Sequence, residues 1–592
     1  MTDVTDVGLN VQGSPSIQRS PSTKMNGKAT SGKVKLLCLT WNVGNAIPKE
    51  YDKLIPKDGE GYDIIAIGLQ EATFRGRSIR QSISLDACLN QILNGILNVL
   101  NETNNHTWYK IQSVKRAQMN LFMFARTAIQ SRIACVEKSV ENTGLFHVLP
   151  NKGGILGTMY VDGTSLAFIS SHLSAHEGVK NCSTRNDSTV EILGGVRARD
   201  QRYDPAVQFH HIFWMGDMNY RITFDPAVPD RSFTDTKALT NREDGPDLAV
   251  QDLMDEEYED TSERKEQFEK IFKMIEEEDW KTLLKLDELN RELAAGRILN
   301  GFKALQPSFP PTFKRKRNVG IKSKDIAQTF LSRSKMYNVY RDNANAACQT
   351  DPESEVSKFW DMKRLPSYTD RILYKSLPGF KNHLTPGKLL SLENVTTSDH
   401  KPVQASFEIE TVGGLDDILV LPGKSRGVQL IVSELKARNL AEMDTIAFGG
   451  GSDPYISISA DPAEILIEDT SELKSSTILH ELNPNWNDVL ELKLLSPDAE
   501  GLCRNCHILI SVWDADVVSA DDVIGTITIP LSDIVSQCQS NNEYKFDGPL
   551  IDRGLIQGTL SGTITMVAPK FDPRMAVQYS MTSMSGGCCL IS

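Results

Sequence analysis

The sequence predicts an α+β protein with two folded regions, a two-layer β-sandwich covered by helices and then an all-β sandwich. The chain has 592 residues, which is too long for one hydrophobic core. From residue 34 to 410, apolar runs of strand length alternate with occasional stretches of helical period. From residue 428 to 567, short β-branched runs alternate with Gly, Asn, Asp and Pro turns and show little helical period.

The first region should begin with a buried strand at Val34, and its first long helix should bury one face, because apolar residues recur there at steps of three and four. These residues are Leu85, Leu89, Ile92, Ile96 and Val99. Further strands are predicted at 64–69, 120–126, 133–137, 155–161, 166–171, 211–215, 371–374 and 403–409. The charged segment 251–300 is predicted to be a solvated helical insertion.

The predicted boundaries follow changes in composition. Residues 1–33 are rich in Ser, Thr, Gly, Lys and Pro, with too little apolar surface to offset the entropy of ordering. We therefore expect a disordered tail at 1–33, the first region at 34–410, a linker at 411–425, the second region at 426–568 and a flexible tail at 569–592.

The composition is that of a globular protein, with 40% hydrophobic and 24% charged residues. The net charge of −13 argues against binding nucleic acid or an anionic membrane through the overall field, so an anionic ligand would need local basic clusters. Ten scattered cysteines fit a reducing cytosolic setting rather than a disulfide framework. The first residues lack a secretory signal, and no apolar run approaches the roughly 18 residues of a membrane-spanning helix.

Polar side chains follow the apolar strands of the first region repeatedly, where a rigid scaffold can present them to one cleft. One such residue is ordinary, but six strand ends supply only Asn, Asp, Glu or His. They are Asn42, Glu71, His172, Asp217 with Asn219, Asp370, and Asp399 with His400. Carboxylate and amide oxygens suit Mg²⁺, and imidazoles suit phosphoryl chemistry.

Eight segments resemble, in order, the motifs of the inositol polyphosphate 5-phosphatases. They are W-N-V-G-N (41–45), G-L-Q-E (68–71), N-K-G-G (151–154), S-H-L-S-A-H (171–176), W-M-G-D-M-N-Y-R (214–221), F-P-P-T-F-K (309–314), L-P-S-Y-T-D-R-I-L (365–373) and S-D-H-K-P-V (398–403). The resemblance implies the deoxyribonuclease-I-like fold of the endonuclease/exonuclease/phosphatase superfamily. It also implies Mg²⁺-dependent removal of the inositol 5-phosphate from phosphatidylinositol 4,5-bisphosphate and 3,4,5-trisphosphate, and leaves open whether lipids or soluble inositol phosphates are preferred.

The resemblance implies roles at the matching positions. Glu71 and Asn42 would hold Mg²⁺ against the scissile phosphate, with Asp399 on the metal side. Asp217 would activate water that Asn219 orients. His400, oriented by Asp370, would donate to a phosphoryl oxygen, and His172 would also contact the phosphate. No covalent intermediate is expected, because these motifs contain no Cys or Ser nucleophile.

Cationic and aromatic residues in the same motifs are candidates for binding the substrate phosphates. They are Lys152, Tyr220, Arg221, Lys314, Lys363, Arg364 and Arg371. Lys152 precedes two glycines that would let backbone amides approach an anion. Arg371 has an equal alternative as a structural ion-pair partner near Asp370. The sequence departs from the family pattern at Met362, where a lysine is usual, so Lys363 would have to replace it. It also departs at Tyr368, where Trp is usual, and at Phe313, where Tyr is usual.

Basic residues cluster at 314–324, six in eleven. The cluster fits a solvated loop better than a contact with anionic lipid, which at such a surface contributes roughly 1 kcal/mol per cation.

The second region contains five aspartates in two groups, which repel one another unless water or a cation neutralises them. They are Asp444, Asp453, Asp514, Asp516 and Asp522. The segments M-D-T-I-A-F-G-G-G-S-D-P-Y-I (443–456), L-N-P-N-W-N (482–487) and V-W-D-A-D-V-V-S-A-D-D-V-I-G (512–525) resemble a C2 domain. This resemblance implies Ca²⁺ held by the aspartates and bridging to anionic lipid headgroups.

The last four residues, beginning at Cys589, have the form of a prenylation box, and Cys588 could be palmitoylated. Together these patterns predict a peripheral, lipid-anchored phosphoinositide 5-phosphatase at the cytosolic face of a membrane. A catalytically weak lipid-binding scaffold is one alternative, which the complete set of site residues disfavours. A nuclease on the same fold is the other, and the absence of a basic nucleic-acid track disfavours it.

Overall fold

The computed structural model describes most of both predicted regions. The described residues are 32–73, 84–103, 107–143, 152–224, 262–315, 317–318, 364–413, 427–443, 451–467, 473–494, 505–516 and 520–567. Outside them lie the N-terminal tail, the middle of the linker, and the C-terminal tail with Cys588 and Cys589. Lys363 and Asp444, which belong to two separate segments, also lie outside them.

The first region is built from twelve described strands and six described helices. The strands are β1 (Lys33–Asn42), β2 (Ile64–Gln70), β3 (Trp108–Arg116), β4 (Met119–Arg126), β5 (Ile133–Asn142), β6 (Gly153–Val161), β7 (Thr164–His172), β8 (His211–Asp217), β9 (Lys303–Ala304), β10 (Asp370–Ser376), β11 (Leu384–Ser391) and β12 (Val403–Glu410). The helices are α1 (Tyr51–Leu54), α2 (Leu85–Leu100), α3 (Val179–Gly195), α4 (Ser262–Glu276), α5 (Trp280–Lys285) and α6 (Glu288–Ala294).

These strands form two six-stranded sheets that pack face to face. The first has the order β11-β12-β1-β2-β4-β3 and the second β5-β6-β7-β8-β10-β9. Alternate residues of both sheets fill one core between them, for example Leu36 and Met123 from the first sheet and Phe168 and Phe213 from the second. Helices cover the two outer faces, which confirms the predicted two-layer sandwich.

Helix α2 shows why the pattern predicted it. Ser84 caps its first turn, with the hydroxyl oxygen accepting from the Ala87 amide at 3.3 Å. Its apolar face, which includes Ile92 and Ile96, packs on the outer face of the first sheet.

The prediction of a solvated insertion at 251–300 was wrong for helix α4. Phe268, Ile271 and Ile275 recur at helical spacing and are buried in the core between the sheets and the helix layer. The many charged residues of α4 therefore mark the outer face of an amphipathic helix and not a wholly solvated one.

Two parallel strand pairs decide where the polar strand ends meet. Strands β1 and β2 are parallel, as are β7 and β8, so the carboxyl ends of each pair lie at one edge. Strand β10 runs antiparallel to β8 and starts at this edge, with Asp370 opposite Asp217. The sandwich thus brings the ends of five strands from both sheets to one place.

The second region is a β-rich domain whose described strands form one seven-stranded network. The strands are β13 (Val428–Arg438), β14 (Pro454–Asp461), β15 (Leu490–Leu494), β16 (His507–Asp514), β17 (Asp522–Pro530), β18 (Tyr544–Asp552) and β19 (Leu555–Val567), in the order β14-β16-β17-β18-β19-β13-β15. Helix α7 (Leu531–Asn541) joins β17 to β18. Side chains such as Leu430, Trp486 and Ile510 fill its own core.

The two regions contact each other at the end of the second sheet opposite Asp217. A small apolar cluster crosses the boundary, formed by Tyr203, Val207, Leu509, Trp513 and Ile551. Arg199 forms an ion pair with Asp461 beside it, and the Arg553 amide donates to an Asp204 carboxylate oxygen at 2.8 Å. The segment holding Arg199 and Asp204 leads into the first residue of β8. The seven residues of β8 therefore separate this contact from Asp217 by about 20 Å.

Within the part of the chain that the structure describes, no helix is both long and apolar enough to span a bilayer.

Candidate functional site

Asp217 lies at the centre of the predicted cleft. It ends β8, is 1% exposed, and accepts a hydrogen bond from Asn42 Nδ2 at the end of β1, with 2.9 Å between Nδ2 and Oδ2. His172 Nε2 and His400 Nε2 lie 3.5 and 3.9 Å from the same carboxylate oxygen. Four of the predicted residues, from both sheets, therefore meet around one oxygen.

His400 is held between two carboxylates. Its Nδ1 lies 3.0 Å from Asp370 Oδ2, and its Nε2 faces Asp217. The hydroxyl groups of Thr312 and Thr369 also donate to Asp370 Oδ2, at 2.7 and 3.0 Å. Asp370 is therefore fixed by three donors, and it orients the imidazole as predicted.

The surroundings of His400 favour its charged form. Burial alone would lower the pKa of His400, but the carboxylates of Asp370, Asp217 and Asp399 outweigh it and raise the pKa to about 9. Burial, together with Asp370, raises the pKa of Asp217, while His400 acts in the opposite direction. At neutral pH His400 is thus a protonated imidazole, and it faces the carboxyl group of Asp217, whose basicity is increased.

His172 has the opposite character. Burial and the nearby cations Lys152, His400 and Arg221 hold the pKa of His172 well below its ordinary value, so this imidazole is neutral. Lys152 Nζ lies 2.8 Å from His172 Nε2, and since an ammonium can only donate, Nε2 accepts. The Nε2 lone pair is therefore directed at Lys152, and the 3.5 Å approach of Nε2 to Asp217 Oδ2 is a contact without a hydrogen bond.

The two glycines after Lys152 serve packing. Gly153 has φ +141°, and a Cβ there would lie 2.1 Å from the carbonyl oxygen of Glu141. A Cβ on Gly154 would lie 2.5 Å from Ile192 Cγ2. Close approach to β5 and α3 thus explains why both positions are glycine, and the expectation that their amides approach an anion stays a prediction.

Glu71 directly follows β2 and has a positive φ of +49°. Its Oε2 accepts from Asn45 Nδ2 at 2.7 Å, and Asn45 in turn contacts the Thr73 hydroxyl. The parallel register puts Asn42 opposite Gln70, so Glu71 and Asn42 lie at neighbouring strand ends. A carboxylate and an amide oxygen at this edge fit a hard divalent cation. Among the described residues, Asp217, Asp370 and His400 also offer ligand atoms within 4.8 Å of one another.

Asn219 and Arg221 lie on the loop after β8 and contact each other. Arg221 Nη2 donates to Asn219 Oδ1 at 2.5 Å and Arg221 Nε to the Asn219 carbonyl at 2.9 Å. Asn219 Nδ2 donates to the Leu173 carbonyl at 3.0 Å. Burial lowers the pKa of Arg221 to about 10, so it stays charged. Arg221 therefore holds the side chain predicted to orient the water.

Two of the predicted substrate residues point into the protein. Tyr220 is fully buried, and its hydroxyl donates to Asn186 Oδ1 at 2.8 Å. Arg371 is fully buried and forms an ion pair with Asp287 at 2.7 Å. This geometry favours the structural alternative for Arg371, although the partner is Asp287 and not the expected Asp370.

The basic segment after Pro311 borders the site and is largely held in place. Arg315 is buried against Glu393, with 2.9 Å between Nη2 and Oε2. Arg317 pairs with Asp399 at 2.8 Å. The prediction of a solvated loop was therefore wrong for Arg315, whereas Arg317 is exposed, with 40% of its side-chain surface accessible. Lys314 and Arg364 are also described near the cleft, whereas Lys363 falls outside the described residues.

Several residues of the site carried no signal in the sequence. Phe313 was noted only for a missing hydroxyl, but its ring centroid lies 4.5 Å from that of His400, and the Arg221 guanidinium lies over the Phe313 ring at 4.7 Å from its centroid. Thr312, which supports Asp370, is an ordinary polar residue in sequence. The motif F-P-P-T-F-K could have revealed both, because Thr312 and Phe313 are inside it.

The described aspartates of the second region lie at neighbouring strand ends. Asp514 ends β16 opposite Asp522, which starts β17. Asp514 Oδ1 accepts from the Asp453 amide at 2.6 Å, and the Asp516 amide donates to Asp521 at 3.2 Å. The structure thus brings together the strand ends that carry Asp453, Asp514 and Asp522, while Asp444 is outside the described residues.

Comparison with known families agrees with this architecture. Residues 39–269 match the Endonuclease/Exonuclease/phosphatase family 2, and residues 428–546 match the C2 domain. The chain therefore carries an endonuclease/exonuclease/phosphatase domain followed by a C2 domain, as the resemblance implied.

Curated relatives are similar at low identity. The chain is 24% identical over 401 residues to phosphatidylinositol 3,4,5-trisphosphate 5-phosphatase 1 of Xenopus laevis, covering 65% of this chain and 31% of the relative. It is 22% identical over 547 residues to phosphatidylinositol 3,4,5-trisphosphate 5-phosphatase 2A of Danio rerio, covering 90% and 35%. It is 25% identical over 283 residues to the human 5-phosphatase 2, covering 47% and 17%. The chain thus spans about a third or less of the length of these relatives.

Among solved structures, the inositol polyphosphate 5-phosphatase domain of SPsynaptojanin, in complex with inositol (1,4)-bisphosphate and a calcium ion, is similar with a TM-score of 0.44. The identity is 21%, and the match covers 64% of this chain and 85% of that one.

Proposed function

We propose that this chain is a metal-dependent phosphoinositide 5-phosphatase that hydrolyses the inositol 5-phosphate of phosphatidylinositol 4,5-bisphosphate and 3,4,5-trisphosphate. The observation that carries the proposal is the placement of His400 between Asp370 and Asp217, with Asn42 on the same Asp217 oxygen. The names of the relatives, phosphatidylinositol 3,4,5-trisphosphate 5-phosphatases, support this substrate class.

In the proposed reaction, Asp217 takes a proton from the attacking water. Its buried position increases its basicity, and the Asn42 hydrogen bond fixes the orientation of its carboxylate. Asn219 orients the water, and His400, protonated at neutral pH, donates to a phosphoryl oxygen as negative charge develops there. Asp370 keeps Nε2 of His400 directed at the phosphate by accepting from Nδ1.

Glu71 and Asn42 would hold Mg²⁺, which when bound would neutralise charge on the scissile phosphate. Their oxygen donors at adjacent strand ends fit such an ion. Asp399 is a weaker candidate ligand, because its Oδ1 already pairs with Arg317.

The remaining phosphates of the substrate would meet cations at the cleft. Lys152 is 8% exposed and lies beside His172, so it is placed to contact the scissile phosphate. Arg221, held next to Asn219, is a second candidate, and Lys314, Lys363 and Arg364 are proposed for the neighbouring ring phosphates. These assignments follow from charge and position.

The C2 domain would bind anionic membrane when Asp444, Asp453, Asp514, Asp516 and Asp522 hold Ca²⁺. Such binding would place the chain peripherally at a cytosolic membrane surface. Prenylation of Cys589 and palmitoylation of Cys588 stay predictions, because both residues lie outside the described part of the chain.

The test is a phosphate-release panel on the purified full chain. Soluble inositol phosphates and vesicle-borne phosphoinositides, with the phosphate at the 3-, 4- or 5-position, would be compared with Mg²⁺ and with EDTA. We expect Mg²⁺-dependent release from 5-phosphorylated substrates only. Phosphate release that persists in EDTA, or that does not depend on which ring position carries the phosphate, would contradict the proposal.

A further inference from the structure

A buried ion pair lies beneath the two loops that carry the site. Glu288, the first residue of α6, pairs with Arg185 in the middle of α3, with 2.6 Å between Oε2 and Nη2. Their side chains are 5% and 0% exposed. Burying an ion pair is costly unless its remaining donors and acceptors are satisfied, so the further contacts of the pair are informative.

Glu288 holds the loop after β8 from both sides. Its Oε2 accepts from the Arg221 amide at 2.8 Å, and its own amide donates to the Arg221 carbonyl at 2.9 Å. The backbone of Arg221 is therefore clamped, and the Arg221 guanidinium binds the carbonyl and the side chain of Asn219. A continuous set of hydrogen bonds runs from α6 to Asn219.

Arg185 holds the loop after β7. Its Nη1 donates to the carbonyl of His176 at 2.8 Å and to that of Ser174 at 3.3 Å. The same loop starts with Leu173, whose carbonyl accepts from Asn219 Nδ2 at 3.0 Å. One ion pair thus ties together the loops after His172 and after Asp217, and Asn219 is held from both of them.

Asn219 needs this support because its backbone is unfavourable. Its φ is +54°, in the left-handed region that costs a non-glycine residue about 1 kcal/mol or more. Its backbone amide donates to Asp217 Oδ1 at 3.1 Å, so a loop that relaxed without the clamp on the neighbouring Arg221 would shift Asn219 relative to Asp217.

We infer that Glu288 and Arg185 are positioning residues of the proposed reaction, acting through Arg221 to fix the direction of the Asn219 side chain. The inference rests on the proposed function. Neither residue was singled out by the sequence, because Glu288 is separated from Arg221 by 67 residues.

The test uses the full chain with Glu288→Gln. The amide oxygen can take the place of Oε2, but the side chain loses its negative charge, which weakens both hydrogen bonds and leaves the buried Arg185 charge unbalanced. We expect kcat to fall on the order of 10-fold with KM changed less than about threefold. In an Asn219→Ala background, the same substitution should cost less than about twofold, because its effect passes through Asn219. An equal fold loss in both backgrounds would overturn the inference.

Asp162→Asn is the matched control. Asp162 is a buried carboxylate paired with Arg132 at the end of β6 remote from Lys152, so neutralising it should leave kcat unchanged. If Glu288→Gln does not fold, Arg185→Lys tests the same clamp, since it keeps the charge but loses the two-sided donor geometry.

Amide hydrogen exchange separates this inference from the proposed function. Glu288→Gln should speed exchange in the loops at 173–178 and 218–222 while leaving β1 and β12 unchanged. If the wild-type chain releases no phosphate from any substrate, the proposed function fails and exchange still tests the clamp. Unchanged exchange in both loops would refute it.

Discussion

The acidic residues of the endonuclease/exonuclease/phosphatase domain and those of the C2 domain are held in different ways. Asp217 and Asp370 are 1% and 2% exposed and share one imidazole, so each carboxylate faces a side chain that can carry charge. In the C2 domain, Asp514 and Asp453 instead accept backbone amides, from Asp453 and His480 respectively. The first arrangement places an imidazole between two carboxylates, which suits the proton transfer proposed above. The second shapes loops that would gain their function only with an added cation.

Replacing Asp217, the central carboxylate of the first arrangement, should have the largest effect on activity. Asp217→Asn should lower kcat on the order of 10³-fold, because Asn cannot take a proton from water. Phosphate release with saturating Mg²⁺ measures it, and far-ultraviolet circular dichroism checks folding. Asp162→Asn supplies the control, and near-normal release by Asp217→Asn would mean that another group is the base.

Replacing Asp370, whose carboxylate accepts from His400 Nδ1, should have a smaller effect on activity and should change its pH dependence. The raised pKa of about 9 keeps His400 protonated at neutral pH, so kcat/KM should fall as the pH rises through about 9. Asp370→Asn removes the nearest stabilising charge. We expect it to lower kcat on the order of 10²-fold and to move this basic limb to lower pH.

The measurement is kcat/KM for a soluble substrate between pH 6 and 10. The same raised pKa means that ionised His400 stabilises the fold fully below its ordinary pKa of 6.5, and that this contribution is lost as the pH rises through about 9. If the basic limb of the pH profile does not move in Asp370→Asn, a group other than His400 sets the pH at which kcat/KM falls.

Removing one of the hydroxyl groups that donate to Asp370 should have a smaller effect still. Thr312→Val keeps the shape of the side chain but removes the hydroxyl that donates to Asp370 at 2.7 Å. The Thr369 hydroxyl and His400 still hold the carboxylate, so we expect kcat to fall only about three- to tenfold. Ser391→Ala, which removes an analogous hydroxyl donor to Glu393, provides a comparison outside the cleft.

Changes in the C2 loops should affect catalysis least. Asp514→Asn with Asp516→Asn in the full chain should abolish a Ca²⁺-dependent gain in vesicle binding, while kcat for a soluble substrate stays within about twofold. Cosedimentation with anionic vesicles, in Ca²⁺ and in EDTA, measures the first effect. Equal sedimentation of the wild-type chain in both conditions would contradict the role given to these aspartates.

The fold was predictable where the pattern of apolar residues was regular. The sandwich, helix α2 and the β-rich second region were predicted from periodicity, but β11 and α3 were missed. Strand β11 contains Pro386 and Gly387 and is largely exposed at a sheet edge, so it lacks an apolar run. Helix α3 buries polar side chains, including Arg185 and Asn186, so its apolar period is weak.

The site was predictable to the extent that its residues end strands. Asn42, Asp217, Asp370 and His400 meet as the strand ends suggested. Glu288 could not be predicted, because its role depends on a contact with a residue 67 positions away in sequence. Arg315 was misjudged for the same reason, since its acidic partner Glu393 lies on another loop. Thr312 lies 58 positions from Asp370 and was overlooked, although the motif that contains it was recognised.

The apolar contact between the domains has a consequence for any attempt to divide the chain. Cutting between the catalytic and C2 domains would expose Tyr203 and Val207 on one piece and Leu509 and Trp513 on the other to water. Each piece would then expose an apolar surface that is buried in the intact protein, so self-association and lower solubility are expected. Loss of activity after such a cut would therefore report on this newly exposed surface as much as on the missing C2 domain.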